Sequence, residues 1–178
     1  MGRVVLVTGA ARSGKSEWAE RLVQESGKSV VYVATAQRYP DDAEWDARIE
    51  THIQRRPAHW QSLEVPIELE EAIASASVGK ILLVDSLGTW VGNLLDEPEV
   101  DWQLRCEALV RQVRASQGDV IFVSEETGWG VVPAYPIGRL FRDRLGRLVR
   151  LMGQVAGETF LVVAGFAVDL RQVGRAID

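Results

Sequence analysis

Residues 4–16 read Val-Val-Leu-Val-Thr-Gly-Ala-Ala-Arg-Ser-Gly-Lys-Ser, a short apolar run that passes directly into Gly9-x-x-x-x-Gly14-Lys15-Ser16. The second half satisfies the phosphate-loop pattern in full. Its setting fits too, because Lys15–Glu25 places Trp18, Leu22 and Val23 at helical spacing. Glycines let successive backbone N–H groups turn inward around phosphate oxygens. The start of the helix adds its positive end. The Lys15 ammonium would neutralise the outer phosphates, and the Ser16 hydroxyl would hold Mg2+. Gly9, Ala10, Ala11, Arg12, Ser13, Gly14, Lys15 and Ser16 are therefore candidate triphosphate contacts. Arg12 suits a phosphate contact and a solvent-facing side chain equally.

Four more runs share the character of Val4–Val7: Val30–Ala34, Ile81–Val84, Val120–Val123 and Phe160–Ala164. All are rich in β-branched residues and apolar on both faces, which suits central strands of a parallel sheet covered by helices. Helical spacing recurs between them, over Asp41–Gln54, Val100–Arg114 and Ile137–Val155. The polar stretch Asp41–Gln54 suits an exposed helix and a mobile flap equally. Thr127–Pro136 reads as a loop after a strand, where α/β proteins place ligand contacts. The alternation predicts an α/β fold of the P-loop NTPase, RecA-like kind, with a mostly parallel central sheet flanked by helices. No linker or repeat divides the chain, so residues 1–178 are expected to form one domain.

Composition narrows the partners. A formal net charge of -5 argues against a general nucleic-acid binder. The single cysteine, Cys106, excludes an intramolecular disulfide, and its helical apolar setting predicts a buried structural thiol. The N-terminal apolar run is too short for a signal peptide, and no stretch approaches the roughly 20 apolar residues of a membrane span. A cytoplasmic enzyme is the expectation.

Two further positions carry chemistry. Asp85 ends Ile81-Leu82-Leu83-Val84, and a carboxylate at the tip of a buried strand is what P-loop enzymes use to support Mg2+ through water. A merely solvated strand-end aspartate is the alternative. Both histidines, His52 and His59, fall within Arg48–Trp60, beside Arg55 and Arg56. A neutral imidazole can attack phosphorus and pass the group onward, and arginines can balance the charge. On residue type alone, two polar histidines on an exposed helix and its following turn are the simpler account.

Thr8–Ser16, Tyr32–Ala36, Arg48–Trp60 with its Arg-Ile-x-x-His-x-x-x-Arg-Pro signature, Leu82–Leu95 and Val123–Arg147 together resemble one family. It is the bifunctional adenosylcobinamide kinase/adenosylcobinamide-phosphate guanylyltransferase family of cobalamin biosynthesis. The resemblance implies phosphorylation of adenosylcobinamide by ATP or GTP, then transfer of GMP from GTP through a guanylylated histidine. It places the nucleophile at His52 and leaves His59 structural. It implies nucleotide contacts from Ala34, Thr35, Ala36, Ile53, Gln54, Arg55, Arg56, Glu64 and Asp85, with Ser16 and Asp85 toward the metal. Ser124-Glu125-Glu126-Thr127-Gly128 is similar to the family's Asn-Glu-Val-Gly strand end, so Glu126 keeps the acidic position and Glu125 replaces the amide. A carboxylate at Glu126 would take the substrate's hydroxyl proton or help hold metal. The family's trimeric assembly is implied in the same way. Two rivals are a single-activity P-loop kinase, in which His52 is a bystander, and a nucleotide-binding switch or motor subunit.

Overall fold

The computed structural model describes residues 2–39 and 41–177; Met1 and Asp178, the ends of the expected domain, and Pro40 lie outside the described residues. In chain order the elements are β1 (Val4–Gly9), α1 (Lys15–Glu25), β2 (Ser29–Ala34), α2 (Ala43–Arg55), β3 (Gln61–Glu64), α3 (Leu69–Ala74) and β4 (Lys80–Asp85). There follow α4 (Leu87–Asn93), α5 (Glu99–Ala115), β5 (Asp119–Glu125), α6 (Pro136–Val155), β6 (Glu158–Val163), β7 (Phe166–Asp169) and α7 (Leu170–Val173).

The strands form one sheet in the order β3-β2-β4-β5-β1-β6-β7. Every pairing is parallel except β6 with β7. The fold is the P-loop NTPase α/β arrangement the sequence predicts. β5 lies between β1 and β4, so Asp85 at the end of β4 is two strands from the phosphate loop.

Alternation along β1 shows why the runs are apolar throughout. Val4 and Leu6 join a core shared with α3, α4, α5 and α6, whereas Val5 and Val7 join the opposite core with Ala19, Leu22 and Val23 of α1. Successive strand residues point to opposite faces, and both faces are covered. Trp90 and Trp102 are fully buried and tilted against each other at 5.6 Å between ring centres. Cys106 is a buried free thiol, and burial pushes its pKa up to about 12, which leaves it inert.

The Asp41–Gln54 expectation resolves as a helix, α2, whose N-terminus is capped by Asp42 accepting from the Trp45 amide at 2.9 Å. None of its residues is buried. The predicted strand Phe160–Ala164 ends one residue earlier, because Ala164 (φ 51) and Gly165 (φ 80) form the positive-φ turn of a hairpin into β7. β7, four residues long, is the sheet's edge strand, and so short a strand carries a weak pattern.

One buried charge organises the far side of the core. Arg144 is 4% exposed and donates to the carbonyls of Leu94 at 2.8 Å and Glu97 at 2.7 Å, while stacking near Trp102. It ties down the turn between α4 and α5, where the Leu94 carbonyl also accepts the Glu97 amide at 3.1 Å. Arg144→Met keeps the apolar stem but removes the charged donor from both carbonyls, so urea unfolding should show a loss of about 2 kcal/mol.

Candidate active site

The sheet's parallel strands deliver their C-terminal ends to one edge, and the phosphate loop opens there. Gly9 closes β1 in tight quarters: a side-chain carbon would lie 2.5 Å from the Val162 carbonyl and 2.6 Å from Ser13 Oγ. Arg12 (φ 59) and Gly14 (φ 93) take left-handed backbone, turning the loop into α1. No side chain caps the first turn of α1. Its amides are those a helix cannot pair for itself. The Lys15 ammonium lies across the loop, donating to the Ala10 carbonyl at 3.4 Å.

A cleft of about 840 Å3 gathers the side chains around this loop. Ala11, Arg12, Lys15 and Ser16 line it from the loop, and Ala34 and Ala36 from the end of β2. His52, Ile53 and Arg56 enter from the C-terminal part of α2, with Glu64 from β3 and Asp85 from β4. The histidine of the signature and the phosphate loop thus face the same space. Gly9, Ala10, Ser13 and Gly14 shape the loop without lining the cleft. His59 lies outside it, exposed in the turn where the Trp60 amide bonds the Pro57 carbonyl.

Four further expected contacts, Thr35, Gln54, Arg55 and Glu126, are not among the residues lining the cleft. Thr35 is fully buried; its hydroxyl donates to the Ser86 carbonyl at 2.7 Å and accepts from the Ser86 amide at 2.9 Å. It therefore fixes the turn after Asp85. Gln54 is exposed and outside the cleft lining. Arg55 turns to α1, pairing with Glu17 at 3.3 Å and Glu20 at 3.4 Å. Glu126 is spent on its own loop, where its Oε1 accepts the Gly128 amide at 2.6 Å, and Glu125 lines the cleft in its place. The strand's alternation explains this, since neighbouring residues cannot point the same way.

Glu125 has an unusual seat. It packs over Gly88 of α4, where a side-chain carbon would lie 1.9 Å from its Oε2, and that oxygen is buried with no hydrogen-bond partner. Burial raises its carboxyl above the ordinary glutamate range and Asp85 adds to this, while Ser86 and Lys15 pull the other way. Asp85 is itself oriented: Tyr32 donates its phenol to Asp85 Oδ2 at 2.9 Å. Burial, then Asp85, raises the Tyr32 pKa, so the phenol keeps its proton and remains a donor. The face of that ring carries the Arg56 guanidinium at 3.7 Å. Tyr32 and Glu125 were missed in the sequence because their signal is positional. Ser86 could have been found as an N-cap, its hydroxyl accepting the Thr89 amide at 3.2 Å.

The donor set fits a hard divalent cation. Ser16 and Asp85 offer oxygens to one cleft, and Glu125 Oε2 is an orphaned oxygen beside them. Among the described residues no cluster of three or more metal-ligating side chains exists.

Gly88→Ala tests the seat of Glu125. Alanine favours the helix by up to about 1 kcal/mol, so the fold should survive. The added carbon should displace the carboxyl and lower catalytic turnover about tenfold or more. Steady-state rates beside urea midpoints check this: unchanged turnover would show that the Glu125 position is unimportant.

The family model described as cobinamide kinase / cobinamide phosphate guanyltransferase matches residues 5–170. The chain is 43% identical over 170 residues to a Pseudomonas aeruginosa protein named bifunctional adenosylcobalamin biosynthesis protein CobP, covering 93% of this chain and 96% of that one. It is 37% identical to the Escherichia coli bifunctional adenosylcobalamin biosynthesis protein CobU, covering 94% and 99%. The Salmonella typhimurium CobU is 34% identical at the same coverages. A solved Pyrococcus horikoshii structure shares the fold, with a TM-score of 0.57 at 10% identity over 95% of this chain and 86% of that one. The chain belongs to the cobinamide kinase / cobinamide phosphate guanyltransferase family.

Proposed function

We propose that this protein phosphorylates the aminopropanol hydroxyl of adenosylcobinamide with ATP or GTP, then transfers GMP from GTP to the new phosphate through a guanylylated His52. The supporting observation is that His52 and the phosphate loop line one cleft. A kinase alone would leave that histidine without a task.

In the first reaction the substrate oxygen bonds to the γ-phosphorus, the bridge to the β-phosphate breaks, and a nucleoside diphosphate and the hydroxyl proton leave. Loop amides and Lys15 hold the charge that spreads over the transferring oxygens. In the second, a His52 ring nitrogen bonds to the α-phosphorus of GTP and pyrophosphate departs. An oxygen of the cobinamide phosphate then attacks the same phosphorus, and the P–N electron pair returns to the imidazole. Mg2+ held by Ser16, Asp85 and the nucleotide phosphates would supply further charge neutralisation.

The chain's own residues prepare these steps. Arg56 and Ile53 wall the nucleotide beside His52, and Tyr32 fixes which Asp85 oxygen faces the cleft. Arg55 links the end of α2 to α1 through ion pairs with Glu17 and Glu20. With no buried residue, α2 can shift between the two reactions at small energetic cost. We read residues 1–178 as one domain built on the single sheet, and, from the family resemblance, as one copy of a homotrimer.

Incubation with α-labelled GTP should place an acid-labile, alkali-stable label on the protein, and His52→Ala should abolish it. Equal labelling of that variant would refute the covalent step. Lys15→Ala should slow both phosphorylation and labelling at least about a hundredfold.

A further inference from the structure

The loop that follows β5 presents apolar side chains that nothing in the chain covers. Val131 is 94% exposed, Tyr135 77% and Trp129 70%, with Val132 and Ile137 also exposed. Such surface is costly to hydrate when grouped in so short a segment, and marks a binding site. The loop is nonetheless held in one shape. Glu126 accepts the Gly128 amide at 2.6 Å, and the Arg139 guanidinium donates to the Pro133 and Ala134 carbonyls at 2.9 and 2.7 Å. Gly138 packs so closely that a side-chain carbon there would lie 2.9 Å from Pro133 Cβ.

Charge decides what the loop can take. From Thr127 to Gly138 the sequence Thr-Gly-Trp-Gly-Val-Val-Pro-Ala-Tyr-Pro-Ile-Gly contains no ionisable group except the Tyr135 phenol. The cleft, by contrast, carries Arg12, Lys15, Arg48 and Arg56. Anionic nucleotide belongs to the cleft, and the loop suits a broad, flat ligand with apolar faces and neutral polar fringes. The two surfaces are continuous in the chain: Glu125 lines the cleft, and Trp129 follows four positions later, its Cα no farther than about 14 Å away.

We propose that the Thr127–Tyr135 loop is the seat of the corrin macrocycle, with Trp129 stacked against its face while the hydroxyl-bearing arm reaches into the cleft. This rests on the corrinoid reading of the function above. Indole and phenol rings gain by stacking on extended planar ligands, and the neutral amide arms of a corrin can bond the loop's exposed backbone. The loop binds the second substrate and takes no part in activating GTP.

Equilibrium dialysis with cobinamide, paired with sedimentation velocity and labelling of His52 by α-labelled GTP, tests this. Trp129→Ala should weaken cobinamide binding about tenfold or more, and Trp129→Phe should restore most of it. Labelling should stay within about twofold of the wild-type rate and sedimentation should be unchanged. Wild-type affinity in Trp129→Ala would overturn the proposal. So would a change in sedimentation accompanying the loss, which would make the loop an interface between copies. If the wild-type protein labels His52 but binds no cobinamide, the substrate reading itself fails, and the proposal with it.

Discussion

The backbone amides on the first turn of α1 have no partner that the helix can supply, and no side chain caps them. Their position follows from the parallel sheet, which buries both faces of β1 and allows the chain to leave only at the strand's C-terminal end. The same constraint sends β2, β4 and β5 to that edge, so Ala34, Asp85 and Glu125 arrive around one set of donors. Buried sheet and open amides together make a place where a triphosphate is the missing counterpart. The chemistry is then set by what the neighbouring strands and α2 bring to it.

The frame was legible because its signals are local. Val4–Ser16 alone specifies strand, loop and helix, and α1 begins and ends where its apolar spacing does. Central strands stood out since burial on both faces leaves an uninterrupted β-branched run. Elements lacking that advantage were missed: β3 and β7 are four-residue strands at the sheet's edges, and α4 carries two glycines, Gly88 and Gly92, within seven residues. Gly88 is there for space, not for helix propensity, because Glu125 occupies the volume its side chain would fill.

Within the site, legibility followed the same rule. Ala11, Arg12, Lys15 and Ser16 of the loop line the cleft together with His52, Glu64 and Asp85. Which of two adjacent glutamates faces inward depends on strand phase at the very end of β5, and a motif aligned by residue type chose Glu126. Thr35 shows a second limit: its place beside two small cleft residues suggested a ligand contact, whereas its hydroxyl is used up on both backbone groups of Ser86. Tyr32 was invisible as a functional residue, since a buried tyrosine in a strand is ordinary core until Asp85 and Arg56 are seen on either side of it.

Two reactions share one set of phosphate donors in the mechanism proposed above. It requires that ATP or GTP poised for γ-transfer and GTP poised for attack by His52 occupy the same loop in turn. The direct measurement is the inhibition constant of an ATP analogue with a non-transferable γ-phosphate, taken against phosphorylation and against His52 labelling. Competition with GTP is expected in both assays, with the same constant within about twofold. Non-competitive inhibition of labelling, or constants differing tenfold or more, would place the two nucleotides at separate sites and contradict it.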